Sequence, residues 1–100
     1  MKLWVDDIRE APEGWDVART YDEAVKKLLT TSYRVVSLDH DLGEEKTGYD
    51  IACVIEAMVV KGYEVPSMIM CHSANPVGKA RISQAVKSIY QRVIEGKRGN

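Results

Sequence analysis

Two short segments are apolar at almost every position, and they constrain the fold more than any other feature of the sequence. One is "VVSL" at residues 35–38, and the other is "MIMC" at residues 68–71. A strand with one face in water alternates apolar and polar residues, whereas an unbroken apolar run is typical of a strand buried on both faces. Helical patterns separate the strands along the chain. The sequence therefore predicts an α/β domain with a mostly parallel sheet.

Four strands and three helices alternate along the chain. The predicted strands are residues 2–6, 15–20, 33–42 and 67–72. The predicted helices are residues 21–31, 48–61 and 76–95. Thr20 and Glu23 can form a capping box before the first helix, and "TGYD" at residues 47–50 offers a second box. Gly62 suits the residue after a helix end, and Asn75 suits the N-cap of the third helix.

The faces of this sheet raise a question of coverage. Right-handed crossovers place the helices that follow strands two and three on the same face. We therefore expect the C-terminal helix to fold across the opposite face. The alternative is a homodimer that covers the exposed sheet face.

Length and composition indicate one domain with nearly balanced charge. The chain has 100 residues, and we assign residues 1–96 to a single domain and residues 97–100 to a frayed tail. Its 14 basic and 15 acidic residues nearly balance, which gives no indication of a polyanionic partner or of binding in a DNA groove. The sequence contains neither a membrane span nor a signal-peptide pattern, so we expect a cytoplasmic protein without a membrane partner.

Polar side chains follow three of the predicted strands. Asp6-Asp7 follow the first strand, Asp39-His40-Asp41 the third, and His72-Ser73 the fourth. Ligands of open parallel sheets bind outside the carboxyl ends of the strands, so adjacent strands would bring these groups into one crevice. Carboxylates in close proximity repel one another, and a divalent cation relieves the repulsion. An oxygen-rich set fits Mg²⁺, with Mn²⁺ as an alternative.

The segment "HSANPVGK" at residues 72–79 adds an anion-binding side to this crevice. A helix begins here, and we expect free amides near Val77, Gly78 and Lys79 to favour a phosphate. His72 could then act as a general acid or base. Each feature also has a simpler interpretation: Asp is common in turns, and Asn75 is explained as a helix cap. The coincidence of three polar strand ends favours a functional site.

Four motifs in this order resemble the cyclic-phosphate-processing receiver-domain family, short relatives of the receiver domains of response regulators. They are "LWVDDIREAPEGW", "VVSLDHDLG", "TGYD" and "HSANP". The resemblance implies a truncated flavodoxin-like domain of two or three layers, with strand order 2-1-3-4 and three main helices. It also implies that Asp6 and Asp7 bind Mg²⁺ together with Asp39, the residue matching the phospho-accepting aspartate. A receiver domain has a further helix between its first two strands and a fifth strand with a lysine, and this sequence has room for neither.

The resemblance implies metal-dependent hydrolysis of a cyclic phosphate, such as a 2′,3′-cyclic RNA end or a nucleotide, and hence a function in RNA repair. The alternatives are a non-catalytic nucleotide-binding module and a receiver-type signalling module. The candidate residues fall into three groups. The catalytic candidates are Asp39, Asp41 and His72; the phosphate-binding candidates are Arg9, His40, Ser73, Asn75, Gly78 and Lys79; the metal ligands are Asp6, Asp7 and Asp39.

Overall fold

A computed structural model describes residues 1–98 of the chain, with side chains through residue 96. The strands are β1 (Lys2–Val5), β2 (Asp16–Ala18), β3 (Val35–Leu38) and β4 (Met68–Cys71). The helices are α1 (Tyr21–Thr30), α2 (Gly48–Val60) and α3 (Pro76–Arg98). The four strands form one sheet in the order β2-β1-β3-β4, and every pair is parallel. The predicted receiver-like α/β fold and its strand order are therefore confirmed.

Strand β3 is shorter than predicted, because it ends at Leu38 instead of continuing to residue 42. All four of its residues are buried, as the apolar run indicated. The amide of Asp39 donates to the carbonyl of Val5 at 2.9 Å, and beyond it the chain turns toward α2. Asp39, His40 and Asp41 therefore belong to a loop at the carboxyl end of the sheet, where their side chains need not alternate between its faces.

The helix starts follow local capping rules, with one difference from the prediction. The Thr20 hydroxyl accepts the amide of Glu23 at 3.1 Å, as expected. The Glu23 carboxylate, however, accepts the amide of Arg19 at 3.2 Å, one residue before the predicted Thr20. At the start of α2, the Asp50 carboxylate accepts the amide of Thr47 at 2.7 Å. Each carboxylate satisfies an amide just before its helix begins, a contribution of about 1 kcal/mol at typical caps.

All three helices lie on the same face of the sheet. Helix α2 packs between α1 and α3, and α3 also contacts β4. The apolar stripe of α3 places Ile82 and Ile89, both fully buried, in the same core as Ile55 and Ile69. Burying a side chain of this size contributes about 1.5–3 kcal/mol. The expectation that the C-terminal helix crosses the opposite face is therefore wrong, and the domain has two layers.

The opposite side of the sheet, which we call the open face, carries Lys2, Trp4, Val35, Ser37, Met68 and Met70. Met68 and Met70 are 53% and 48% exposed. The connection from β1 to β2 is a short loop, as predicted, so no helix is available there to cover this face.

The C-terminal helix extends further than expected. Helix α3 continues to Arg98, whereas the sequence predicted an end near Glu95 and a frayed tail at residues 97–100. Residues 99–100 of that predicted tail lie outside the described residues. Between residues 1 and 98, none of the helices combines the length and apolar character that a membrane crossing needs.

Candidate functional site

Three polar side chains from different strands meet at the carboxyl edge of the sheet. Asp6 follows β1, Asp39 follows β3 and His72 follows β4, and these three strands are neighbours in the sheet. One potential ligand atom from each side chain lies within 4.8 Å of those from the other two. The sequence predicted that these residues would share one crevice if their strands were adjacent. The strand order shows that the strands are adjacent. We call this group the acidic cluster.

Asp6 is held as a carboxylate by its neighbours. Its side chain is 1% exposed, and Oδ1 accepts the amides of Ile8 at 3.0 Å and Arg9 at 2.8 Å. Oδ2 lies 3.0 Å from Nε2 of His72. Burial alone would raise the pKa of Asp6, but the two amides and His72 outweigh it, so the pKa lies below its ordinary value. Asp6 is therefore a charged group at the base of the cluster.

Asp39 has the opposite electrostatic situation. Burial raises the pKa of its carboxyl group, and the negative charge of Asp6 raises it further. A hydrogen bond from Ser73, the amide of Asp41 and the proximity of His72 offset only part of this effect. The negative charges of the two carboxylates thus repel each other, and a bound cation would relieve this repulsion.

The ring of His72 is held from three directions. Nδ1 lies 2.7 Å from the hydroxyl of Ser37, and Nε2 faces Asp6. The indole of Trp4 stacks on the imidazole with 3.7 Å between ring centroids and 6° between planes. Neither Ser37 nor Trp4 was predicted from the sequence as a site residue. The signal for Ser37 was present, since it is the one polar residue within an otherwise apolar buried strand.

His40 and Asp41 form a second pair outside the acidic cluster. Oδ1 of Asp41 lies 3.0 Å from Nδ1 of His40, and Asp41 is 63% exposed whereas His40 is 12% exposed. Nε2 of His40 is buried and has no hydrogen-bond partner among the described residues. The ring lies so close to Gly78 that a Cβ there would overlap its atoms. Asp39 and Asp41, both catalytic candidates from the sequence, therefore occupy different environments.

The start of α3 is not an open anion site. Oδ1 of Asn75 accepts the amides of Val77 and Gly78, both at 3.1 Å, and its carbonyl accepts the amide of Lys79 at 2.8 Å. Asn75 also donates to Asp41 at 3.4 Å. The expected free amides at residues 77–79 are therefore already satisfied by Asn75, because a good N-cap uses the groups that a phosphate would need.

The remaining candidates surround the acidic cluster without joining it. Asp7 is partly buried, with its carboxylate beside Gly43, and it is not one of the three residues of the cluster. Arg9 donates to the carbonyl of His72 at 3.1 Å, which ties the loop after β1 to the end of β4. Lys79 is exposed. Arg19, which the sequence analysis did not identify, donates to the carbonyls of Asp6 at 3.0 Å and Arg9 at 2.7 Å.

The donor set of the cluster fits a divalent cation. Two carboxylates and one imidazole are common ligands of divalent first-row metals. A set containing a nitrogen donor is less typical of Mg²⁺, which prefers oxygen ligands and retains several waters. The fit therefore rests on Asp6, Asp39 and His72, whereas the sequence predicted Asp6, Asp7 and Asp39.

The parallel sheet with order β2-β1-β3-β4 and acidic groups at its carboxyl edge define a receiver-like domain. A family model described as the cyclic-phosphate processing receiver domain matches residues 1–88 of the chain. The chain belongs to this family, as the sequence motifs indicated. Searches among curated proteins and among solved structures each found no match.

Proposed function

We propose that this domain hydrolyses a cyclic phosphate with the help of a divalent cation, and that a 2′,3′-cyclic RNA end or nucleotide is its class of substrate. The family to which the chain belongs is described by cyclic-phosphate processing, which supports the choice of substrate. The acidic cluster is the observation that carries the proposal, because two carboxylates and an imidazole converge within 4.8 Å.

Asp6, Asp39 and His72 would hold the cation. When bound, a divalent cation supplies Lewis-acid stabilisation of a phosphoryl oxygen. Asp6 contributes a charge already fixed by two amides. Asp39 contributes a carboxylate whose raised pKa makes it gain most from a nearby positive charge.

Hydrolysis requires a proton to be moved from water to the leaving oxygen. The water oxygen bonds to phosphorus, the bond from phosphorus to one ribose oxygen breaks, and that oxygen takes a proton, so the product gains one water. His40 is our candidate for the proton transfer, since it follows Asp39 in the same loop and Asp41 holds its Nδ1. Its Nε2 is buried and unpaired among the described residues, so under this proposal substrate binding must bring this nitrogen into contact with the reacting oxygen. This assigns Asp41 a positioning role and reserves His72 for the cation, in place of the acid–base role predicted from the sequence.

Exposed basic side chains at the edge of the site would bind the phosphate. Lys79 and the partly engaged Arg9 are exposed. Ser73, Asn75 and Gly78 hydrogen-bond within the site, so we assign them to its architecture more than to direct phosphate contact.

The test is incubation of the protein with a short RNA that ends in a 2′,3′-cyclic phosphate, with Mg²⁺, with Mn²⁺ or with EDTA, followed by mass analysis. We expect a cation-dependent gain of one water. Asp39→Asn should lose both turnover and cation binding, and His72→Ala should lose turnover and Mn²⁺ binding, whereas His40→Gln should lose turnover and keep cation binding. Asp22→Asn, an exposed carboxylate on α1, serves as the matched control and should keep both.

Cation binding without turnover in the wild-type protein would contradict the hydrolytic proposal. A thermal shift by an unchanged nucleotide would then support the binding-module alternative. A gain of one phosphate on Asp39 from a small phosphodonor would instead support the signalling alternative.

A homodimer through the open face is also retained as a proposal. Its motivation is that no helix within residues 1–98 covers Met68 and Met70, both about half exposed. Sedimentation of the wild type and of Met70→Lys tests it.

A further inference from the structure

Ser37 is an unusual residue for its position in the sheet. It lies at the centre of β3 between Trp4 of β1 and Met70 of β4 in the register, and it is 2% exposed. Burying a hydroxyl group without a hydrogen bond is unfavourable, so an apolar residue would be expected there. Its partner is Nδ1 of His72, 2.7 Å from Oγ. The buried hydroxyl of Ser37 is therefore satisfied by the imidazole of His72.

We propose that Ser37 is a positioning residue that presents Nε2 of His72 to the acidic cluster as a nitrogen ligand, and that the site consequently prefers Mn²⁺ over Mg²⁺. This inference rests on the cation site of the proposed function and deepens it. Trp4 fixes the plane of the ring by stacking, and Ser37 fixes its rotation within that plane.

A hydroxyl suits this task because it can both donate and accept a hydrogen bond. A carboxylate can only accept, so the contact with Asp6 requires a proton on Nε2, and in the neutral ring Nδ1 then accepts from Ser37. A nitrogen that binds a cation must first give up its proton. Nδ1 then carries the remaining ring proton and donates it to the Ser37 oxygen, so the same contact serves both tautomers of His72.

The preference for Mn²⁺ follows from the ligand types. Mg²⁺ binds through carboxylates and retained waters and gains little from an imidazole. Mn²⁺ binds the same carboxylates, and divalent transition ions also accept imidazole nitrogen. Loss of the ring orientation should therefore weaken Mn²⁺ binding and leave Mg²⁺ binding nearly unchanged.

The test is titration of the full chain with Mn²⁺ and with Mg²⁺ by calorimetry, in the wild type and in three variants. Ser37→Ala removes the hydroxyl, and Ser37→Thr retains it. Ser67→Ala removes an exposed hydroxyl at the amino end of β4, bonded to the Arg34 carbonyl, and controls for loss of a serine remote from the site. Ser37→Ala should weaken Mn²⁺ binding by about 10–100-fold, the usual effect of removing a partner of a metal-bound histidine. The Thr variant and the Ser67 variant should bind like the wild type.

Two results would overturn the inference while leaving the proposed function intact. One is unchanged Mn²⁺ affinity in Ser37→Ala, and the other is an equal loss of affinity for both cations. A wild-type protein that binds neither cation would instead overturn the cation site and the proposed function with it.

A second measurement needs no variant of Ser37. The imidazole nitrogens of ¹⁵N-labelled protein report which nitrogen of each of the two histidines carries the proton. Addition of diamagnetic Zn²⁺ should move the proton of His72 from Nε2 to Nδ1, and His40→Gln identifies which signals belong to His72. A His72 that keeps its proton on Nε2 in the presence of bound Zn²⁺ would contradict the inference.

Discussion

At the scale of single residues, the charged form of Asp39 destabilises the folded protein. Its pKa is raised by burial and by Asp6, so the folded protein holds this proton to a higher pH than the unfolded chain does. The stability that this proton contributes to the fold is fully present below about 3.8, the pKa of an aspartate in the unfolded chain. It is lost as pH rises through the higher pKa of Asp39 in the folded protein. Near neutral pH the charged Asp39 therefore opposes folding in the absence of a cation.

Asp39→Asn should accordingly stabilise the protein in EDTA at neutral pH. We expect a gain of about 1 kcal/mol, which corresponds to a rise of about 4–8 °C in Tm for a domain of this size. The difference from the wild type should disappear at pH values below the ordinary range of an aspartate. Thermal unfolding monitored by circular dichroism across pH measures both effects.

Asp41→Asn is the matched control for this prediction. Its pKa is lowered by the hydrogen bond from His40, and its side chain is largely solvated. Removal of its charge should change Tm little or lower it slightly. A Tm rise in Asp41→Asn as large as in Asp39→Asn would mean that general reduction of negative charge, not the pairing with Asp6, causes the effect.

At the scale of elements, the contact between α2 and the loop after β3 depends on a glycine. Gly48 is the first residue of α2, and its amide donates to the carbonyl of His40 at 2.9 Å. A Cβ at this position would overlap the backbone carbonyl of Asp39. Backbone atoms cannot move aside as a flexible side chain can, so the helix would have to shift away from the cluster.

Gly48→Ala should therefore destabilise the fold by at least about 2 kcal/mol, the range expected for steric strain in a packed region. Chemical denaturation gives the free energy of unfolding. Gly96→Ala in α3 is the comparison, because among the described residues a Cβ there would meet no atom within 4 Å apart from the backbone of its own helix, and alanine has the higher helix propensity. A Gly48→Ala variant as stable as the wild type would show that the loop after β3 can adjust, and the position of Asp39 with it.

At the scale of the whole molecule, the helices of the described chain cover one face of the sheet, and the part of the open face formed by β4 stays exposed. Adjacent residues of β4 face opposite sides: Ile69 is 8% exposed and faces the helices, whereas Met70 is 48% exposed on the open face. This arrangement follows from the two crossovers through α1 and α2 and from the packing of α3 beside α2.

A lysine at each of these two positions should have very different effects. Met70→Lys should change the free energy of unfolding by less than about 0.5 kcal/mol, as is usual for surface sites. Ile69→Lys should prevent stable folding, because it buries an unpaired charge. Denaturation of both variants tests the two-layer arrangement, and similar losses in both would contradict it. If the wild type sediments as a homodimer through the open face, Met70→Lys should convert it to a monomer.

The sequence by itself determined the features that depend on local interactions. The apolar runs in β3 and β4 indicated buried parallel strands, since the residue pattern reports burial directly. Thr20 and Asn75 marked helix starts, because their partners lie within three residues along the chain. The polar strand ends indicated where a site would lie, since parallel strands share one carboxyl edge.

Only the tertiary structure decided which distant groups meet. The amphipathic stripe of α3 showed that one helix face is buried but could not show that it packs beside α2. The contact between Ser37 and His72 joins residues 35 positions apart, and it depends on the register of β3 against β4. The separation of Asp39 from Asp41 depends on where β3 ends. Sequence patterns specify which groups are buried, whereas packing and register determine the partner of each buried group.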